Sequence, residues 1–149
     1  MKKKKYERLL IEACMQELEA IKFYVFLSRR IQDPFVKTLL TDIAAMEEKH
    51  LGELKNLMYK DLLALKFPEI EDIVKIKKVK KSEITNCLTP ENAIKLAIKM
   101  EEEAEKKYKR LSKIADTPLH KNIYLQLSKM EAFHKNQFKQ LLISIDEWK

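Results

Sequence analysis

Apolar residues recur at helical spacing in four stretches of this chain. The first runs from about Tyr6 to Ile31, with Leu10, Cys14, Ile21, Tyr24 and Ile31 on one stripe. The second runs from about Phe35 to Leu65 and carries Leu39, Ile43, Leu54 and Leu57. The third starts after Thr89-Pro90-Glu91, a capping residue followed by proline and an acidic first turn, and reaches about Ala115. Its inward positions are Ile94, Ala97, Ala104, Tyr108 and Leu111. The fourth begins at Thr117-Pro118 and continues near to the C-terminus through Ile123, Leu127, Phe138 and Leu141. Asp33-Pro34 and Thr117-Pro118 separate the members of each pair, because proline disfavours helix in the residue before it and suits a first helical turn.

The links between stretches are short, long and short. Short links make antiparallel helix pairs, whereas the stretch from Lys66 to Thr89 can travel the length of a bundle. Each helix would be about 40 Å long at about 1.5 Å per residue, a span that some two dozen extended residues can cover. The pattern predicts an all-α fold: a four-helix bundle of two antiparallel pairs joined by a long crossover.

Composition adds to this picture without redirecting it. The 149 residues read most simply as a single domain over positions 1–149, large enough to bury a continuous core. One glycine and four prolines, in a chain rich in Leu, Ile, Ala, Glu and Lys, favour helix almost throughout. The net charge of +7 comes largely from Lys2-Lys3-Lys4-Lys5 and the run from Lys75 to Lys81. No aromatic residues interleave with those runs to make a readable surface, so specific nucleic-acid binding is not expected. Cys14 and Cys87 form no C-x-x-C and provide neither a disulfide framework nor a four-thiolate metal site. Glu7, Arg8 and Glu12 interrupt the apolar stretch near the start, and no run approaches membrane-span length. A cytoplasmic protein with no membrane partner is the expectation.

The chemistry lies in an internal repeat. A shift of 84 positions lays the second half on the first without a gap. Asp33-Pro34 falls on Thr117-Pro118, Met46 on Met130, and Glu17 with Tyr24 on Glu101 with Tyr108. Glu47-x-x-His50 falls on Glu131-x-x-His134. His120 falls on Val36 and has no counterpart, which marks it as a surface or turn residue. Residues three apart on a helix share a face, so each Glu-x-x-His offers an oxygen and a nitrogen to one point. Glu17 and Glu101 sit on apolar stripes, and all six residues lie near mid-helix, where an antiparallel bundle brings them to one height. Four carboxylates in a core repel one another and carry a severe desolvation cost. Two divalent metal ions balance four negative charges. Surface glutamates with chance histidines would leave it unexplained that two of the three histidines occupy repeat-related Glu-x-x-His sites.

The arrangement of Glu17, Glu47-x-x-His50, Glu101 and Glu131-x-x-His134 on four helices resembles the ferritin-like di-iron carboxylate proteins. Within them it is most similar to the rubrerythrins, in which a tyrosine follows the first-helix glutamate by seven residues, as Tyr24 follows Glu17. The resemblance spans all four helices. It implies a ferritin-like fold, these six residues as metal ligands, and two iron ions as cofactors, with manganese or zinc able to use the same donors. Tyr24 and Tyr108 would hydrogen-bond the carboxylates or relay electrons; as plain core aromatics they would only fill space.

Two departures from the rubrerythrin pattern bear on function. Many rubrerythrins carry a C-terminal rubredoxin domain, and this chain has no cysteines for one, so an external electron donor is expected. Many also carry a further carboxylate one turn beyond the third-helix ligand, where this chain has Ala104; Glu105 is the nearest substitute. The leading expectation is a di-iron enzyme that reduces hydrogen peroxide or dioxygen. The alternatives are a ferroxidase that stores iron, and a non-enzymatic helical module stabilised by metal. A homodimer is compatible with each.

Overall fold

The computed structural model describes residues 2–61 and 89–147, and its described residues form four helices. These are α1 (Lys2–Arg30), α2 (Pro34–Asp61), α3 (Pro90–Ile114) and α4 (Pro118–Glu147). Each of the last three opens on a proline preceded by a capping side chain. Asp33 Oδ1 accepts from the Val36 amide at 3.0 Å, Thr89 Oγ1 from Asn92 at 3.2 Å, and Thr117 Oγ1 from His120 at 3.2 Å. A side-chain acceptor satisfies one of the free amides of the first turn, and proline lacks the amide that would go unpaired there. The dipeptides that mark breaks in the sequence are therefore also helix starts.

The tightest packing joins α1 to α2 and α3 to α4, and α1 also lies against α3. Contacts between α1 and α3 pair early residues with late ones: Tyr24 meets Glu101 and Tyr108 meets Glu17, while Lys5 reaches Asp116 just beyond the end of α3. Those two helices thus run antiparallel. Because α1 is antiparallel to α2 as well, α2 and α3 run parallel. A parallel pair needs a connection that returns along the bundle. The expected crossover, with Cys87 and the basic run Lys75–Lys81, lies outside the described residues apart from Thr89. The described helices form the ferritin-like bundle that the spacing predicts.

The core falls into two apolar clusters. One gathers Phe23, Tyr24, Leu27, Leu40, Ile43, Ile94, Ala97 and Phe138 around the middle and end of α1. The other gathers Leu10, Ala13, Cys14, Leu54, Tyr108, Leu111, Tyr124 and Leu127 around its first half. Ile21, Leu39, Leu57 and Ile123, expected inward, are only partly buried at the margins of these clusters. Between the clusters, buried side chains are charged or polar.

His120 departs from expectation. It lies in the first turn of α4, yet it is buried, with its ring edge-on to Tyr6 at 4.1 Å and its Nδ1 against Thr117 Oγ1. The residue that breaks the repeat is a packed part of the bundle end, because α1 extends far enough towards its N-terminus to cover it.

Candidate metal centre

Glu17, Glu47, His50, Glu101, Glu131 and His134 make up the polar layer between the two apolar clusters, and all six are buried. One glutamate comes from each of α1 and α3, and a Glu-x-x-His pair from each of α2 and α4. Their atoms assemble into two overlapping groups: Glu17, Glu47, His50 and Glu131, and Glu47, Glu101, Glu131 and His134. Within each group the ligand atoms lie within 4.8 Å of one another. Glu47 and Glu131 belong to both, so the two groups share an edge made of two carboxylates. The histidines flank this edge with rings nearly parallel, at an interplanar angle of 16° and 6.4 Å between centroids.

Both imidazoles turn Nδ1 towards the carboxylates. His50 Nδ1 lies 3.7 Å from Glu17, 3.6 Å from Glu47 and 3.7 Å from Glu131. His134 Nδ1 lies 3.3 Å from Glu47 and 3.7 Å from Glu101. None of these separations brings a nitrogen into hydrogen-bond range with good geometry. Glu17 Oε2, Glu47 Oε1, Glu101 Oε2, Glu131 Oε1 and Nδ1 of both histidines are buried with no hydrogen-bond partner. A buried polar atom without a partner costs about 1–3 kcal/mol, more when charged. Six such atoms converging in one layer are the signature of a site built around cations.

Protons reveal the same frustration. Burial pushes Glu17 and Glu131 well above the usual carboxylate range, and neighbouring carboxylates add to the effect. Burial likewise raises Glu101 to about 8. It would raise Glu47 too, but Glu17, with His134 and His50 close by, holds Glu47 below the ordinary range. Burial disfavours charge on His50, yet the adjacent Glu47 and the charge of Glu131 outweigh it and raise its pKa. The centre cannot carry its full negative charge unaided, and metal ions would displace the protons that otherwise neutralise it.

Two tyrosines hold the outer carboxylates. Tyr24 Oη donates to Glu101 Oε1 at 2.5 Å, while Tyr108 Oη donates to Glu17 Oε1 at 2.6 Å, with Ala13 O a further acceptor at 3.2 Å. Burial and then the carboxylate facing each ring push both phenols well above the usual tyrosine range, so each hydroxyl keeps its proton and remains a donor. The repeat places Tyr24 and Tyr108 at equivalent positions, but only packing reveals that each serves the glutamate of the other helix.

Ala104 is buried on the α3 stripe. Glu105 does not replace the carboxylate missing there: its Oε1 accepts from Lys135 Nζ at 2.8 Å, and it joins neither ligand group. One position further round the helix directs it to α4 instead. Burial pushes the Cys14 thiol up to about 12, as befits a small side chain of the apolar cluster. A cleft beside His50, between α2 and α4, was not anticipated from the sequence.

The family model for Rubrerythrin matches residues 8–143. A hypothetical protein from Pyrococcus furiosus superposes with a TM-score of 0.70 at 23% identity, covering 95% of this chain and 90% of its own. A conserved hypothetical protein from Mycobacterium tuberculosis superposes with a TM-score of 0.73 at 14% identity, covering 95% and 93% of the two chains. At those identities the likeness is one of fold. No curated protein matches the chain.

Proposed function

The chain belongs to the rubrerythrin family, and from that premise we propose that it is a di-iron oxidoreductase that reduces hydrogen peroxide or dioxygen with electrons from a separate donor. The observation that carries the reading is the pair of buried ligand groups sharing Glu47 and Glu131, with their donor atoms unsatisfied. Glu17, Glu47, His50 and Glu131 would hold one ion, and Glu47, Glu101, Glu131 and His134 the other. Mixed carboxylate and imidazole ligation suits iron. Two ferrous ions bound there would supply the two electrons that, with two protons, convert one hydrogen peroxide into two waters.

The protein's own groups set the conditions for that chemistry. The apolar clusters above and below the polar layer limit bulk water, which strengthens every charge interaction within it. Tyr24 and Tyr108 fix Glu101 and Glu17, so these carboxylates are oriented before a metal arrives. Six side chains are too few to saturate two six-coordinate ions unless the carboxylates chelate or bridge, which leaves room for an oxygen-containing substrate. Cys14 and Cys87 cannot make a four-thiolate iron site, so electrons come from outside these 149 residues.

Stopped-flow mixing of the anaerobically reduced, iron-loaded protein with hydrogen peroxide, and separately with air-saturated buffer, tests the proposal. Rapid spectral oxidation is expected with at least one oxidant, with turnover only after an external reductant is added. No oxidation by either would overturn the redox reading. Uptake of many irons per chain after oxidation would replace it with iron storage.

A further inference from the structure

The two halves of the metal centre differ in access. His134 is 0% exposed and both its ring nitrogens are buried, whereas His50 lines a cleft of about 580 Å³ between α2 and α4. His50 is thus common to the cleft and to one of the two ligand groups. The internal repeat shows one difference between the two sides. The position of Leu54 in the cleft corresponds to Phe138 on the other side, where the phenyl ring is fully buried and stacks on Tyr24 with centroids 6.0 Å apart. The smaller Leu54 thus stands in the cleft wall on the His50 side where the repeat has a phenylalanine on the His134 side.

Resting on the reading of this centre as a peroxide-reducing site, we propose that the cleft is its substrate site and that the substrate is a hydroperoxide bearing an apolar alkyl or aryl group. Size is the first argument. A cleft of about 580 Å³ lies among small-molecule pockets of roughly 300–1,000 Å³. It exceeds by more than tenfold the approximately 30 Å³ share of a water molecule in the liquid, far more room than hydrogen peroxide requires. The distribution of its walls is the second. Leu54, Leu57, Ile123 and Leu127, with Met46 and Met130, supply apolar surface and flexible thioethers that adapt to irregular shapes. The ionic groups Lys49 and Glu53 are exposed at the rim, so an apolar tail meets no unpaired charge inside. Asn56 and Gln126 are exposed, and His50 is the residue of the lining that also belongs to a ligand group.

Two ferrous ions held there would supply the two electrons that, with two protons, cleave the O–O bond to give the alcohol and water. The separate donor returns two electrons. The cleft's contribution is to orient the hydroperoxide, with its oxygens towards His50 and its apolar group between α2 and α4.

Two experiments test the assignment with and without redox chemistry. Zinc-loaded protein, which transfers no electrons, is titrated with cumyl alcohol while the ¹³C-labelled methionine methyls are followed by NMR. Saturable shifts at Met46 and Met130, with Met15 unmoved, are expected. Absence of saturable binding at those methyls would overturn the proposal. Reduced, iron-loaded protein is then mixed with cumene hydroperoxide and with hydrogen peroxide. The ratio of the first rate to the second should fall by about tenfold or more in Leu54→Phe, which copies the other half of the repeat. Leu57→Trp, at a partly buried wall position, serves if Leu54→Phe does not fold. An unchanged ratio in a folded variant, or oxidation by hydrogen peroxide with none by cumene hydroperoxide, would overturn this proposal alone. Failure of both oxidants would overturn the redox reading and this proposal with it.

Discussion

Tyr24 on α1 donates a 2.5 Å hydrogen bond to Glu101 on α3, and its repeat partner Tyr108 returns the equivalent bond from α3 to Glu17 on α1. The two bonds are exchanged between helices as a pseudo-twofold axis requires, and each fixes the outer carboxylate of a different ligand group. Removing a donor that orients a metal ligand commonly weakens metal affinity by about 10- to 100-fold. Tyr108→Phe should therefore weaken the group containing His50, and Tyr24→Phe the group containing His134. Competition with a chelator, resolved into two binding steps, checks this. Equal affinities in wild type and both variants would show that the tyrosines only fill space.

Metal stoichiometry separates shared from unshared ligands. Elemental analysis of protein reconstituted anaerobically with Fe(II) should approach two irons per chain. Glu131 belongs to both groups and Glu17 to one. Glu131→Ala should consequently lower occupancy of both positions, whereas Glu17→Ala should spare the position held by Glu101 and His134. One iron in the wild type, or unaltered binding in Glu131→Ala, would contradict a paired centre.

Stability should follow metal and pH together. Free metal at about 100 times Kd adds about 2.7 kcal/mol per site. That corresponds to a Tm rise of roughly 5–10 °C for a chain of this size. In the metal-free protein, burial raises Glu17, Glu131 and Glu101, the last to about 8, so the folded state keeps protons that the unfolded chain releases near pH 4.5. Their contribution is complete below that pH and is lost progressively as pH rises towards 8 and beyond. The raised pKa of His50 acts in the same direction, fading as pH climbs through it. Glu47, held low, acts oppositely, and its contribution disappears as pH falls below the ordinary carboxylate range. Melting curves should show apo stability falling between about pH 5 and 8, with a much flatter profile for the metal-loaded form. Identical profiles would mean that the glutamates are solvated.

Ala104→Glu tests the cost of a fifth carboxylate. Ala104 is 2% exposed and one turn beyond Glu101. An added charge there should destabilise the apo protein by several kcal/mol, or shift the new group's pKa upward to avoid ionising. Metal should restore part of that stability, and peroxide oxidation of the reduced form should accelerate. Calorimetry of apo and loaded variants measures the first effect, and stopped-flow mixing the second. A variant that melts as wild type does without metal would place residue 104 in contact with water.

Periodicity, helix breaks and the repeat of Glu-x-x-His at a shift of 84 positions made the four helices and the six candidate ligands legible before any coordinates. Such features are local: apolar spacing follows the helical turn, and residues three apart share a face whatever the rest of the chain does. Helix pairing followed from link lengths, because a short link leaves little choice but to turn back. What depended on through-space packing was not legible. The exchange of tyrosine bonds joins residues 77 and 91 positions apart, and no spacing rule reaches that far. His120 lacks a repeat partner, yet α1 covers it with Tyr6. Glu105 is diverted by Lys135 on α4. The repeat makes the two halves of the centre nearly equivalent, but Leu54 borders the cleft beside His50 whereas Phe138 stacks on Tyr24. The sequence by itself determined which residues form the polar layer, because helical phase is a property of a single segment. Only the tertiary structure decided which carboxylates are shared, which tyrosine holds which glutamate and which histidine borders an open cleft, because those relations depend on how four separate segments meet.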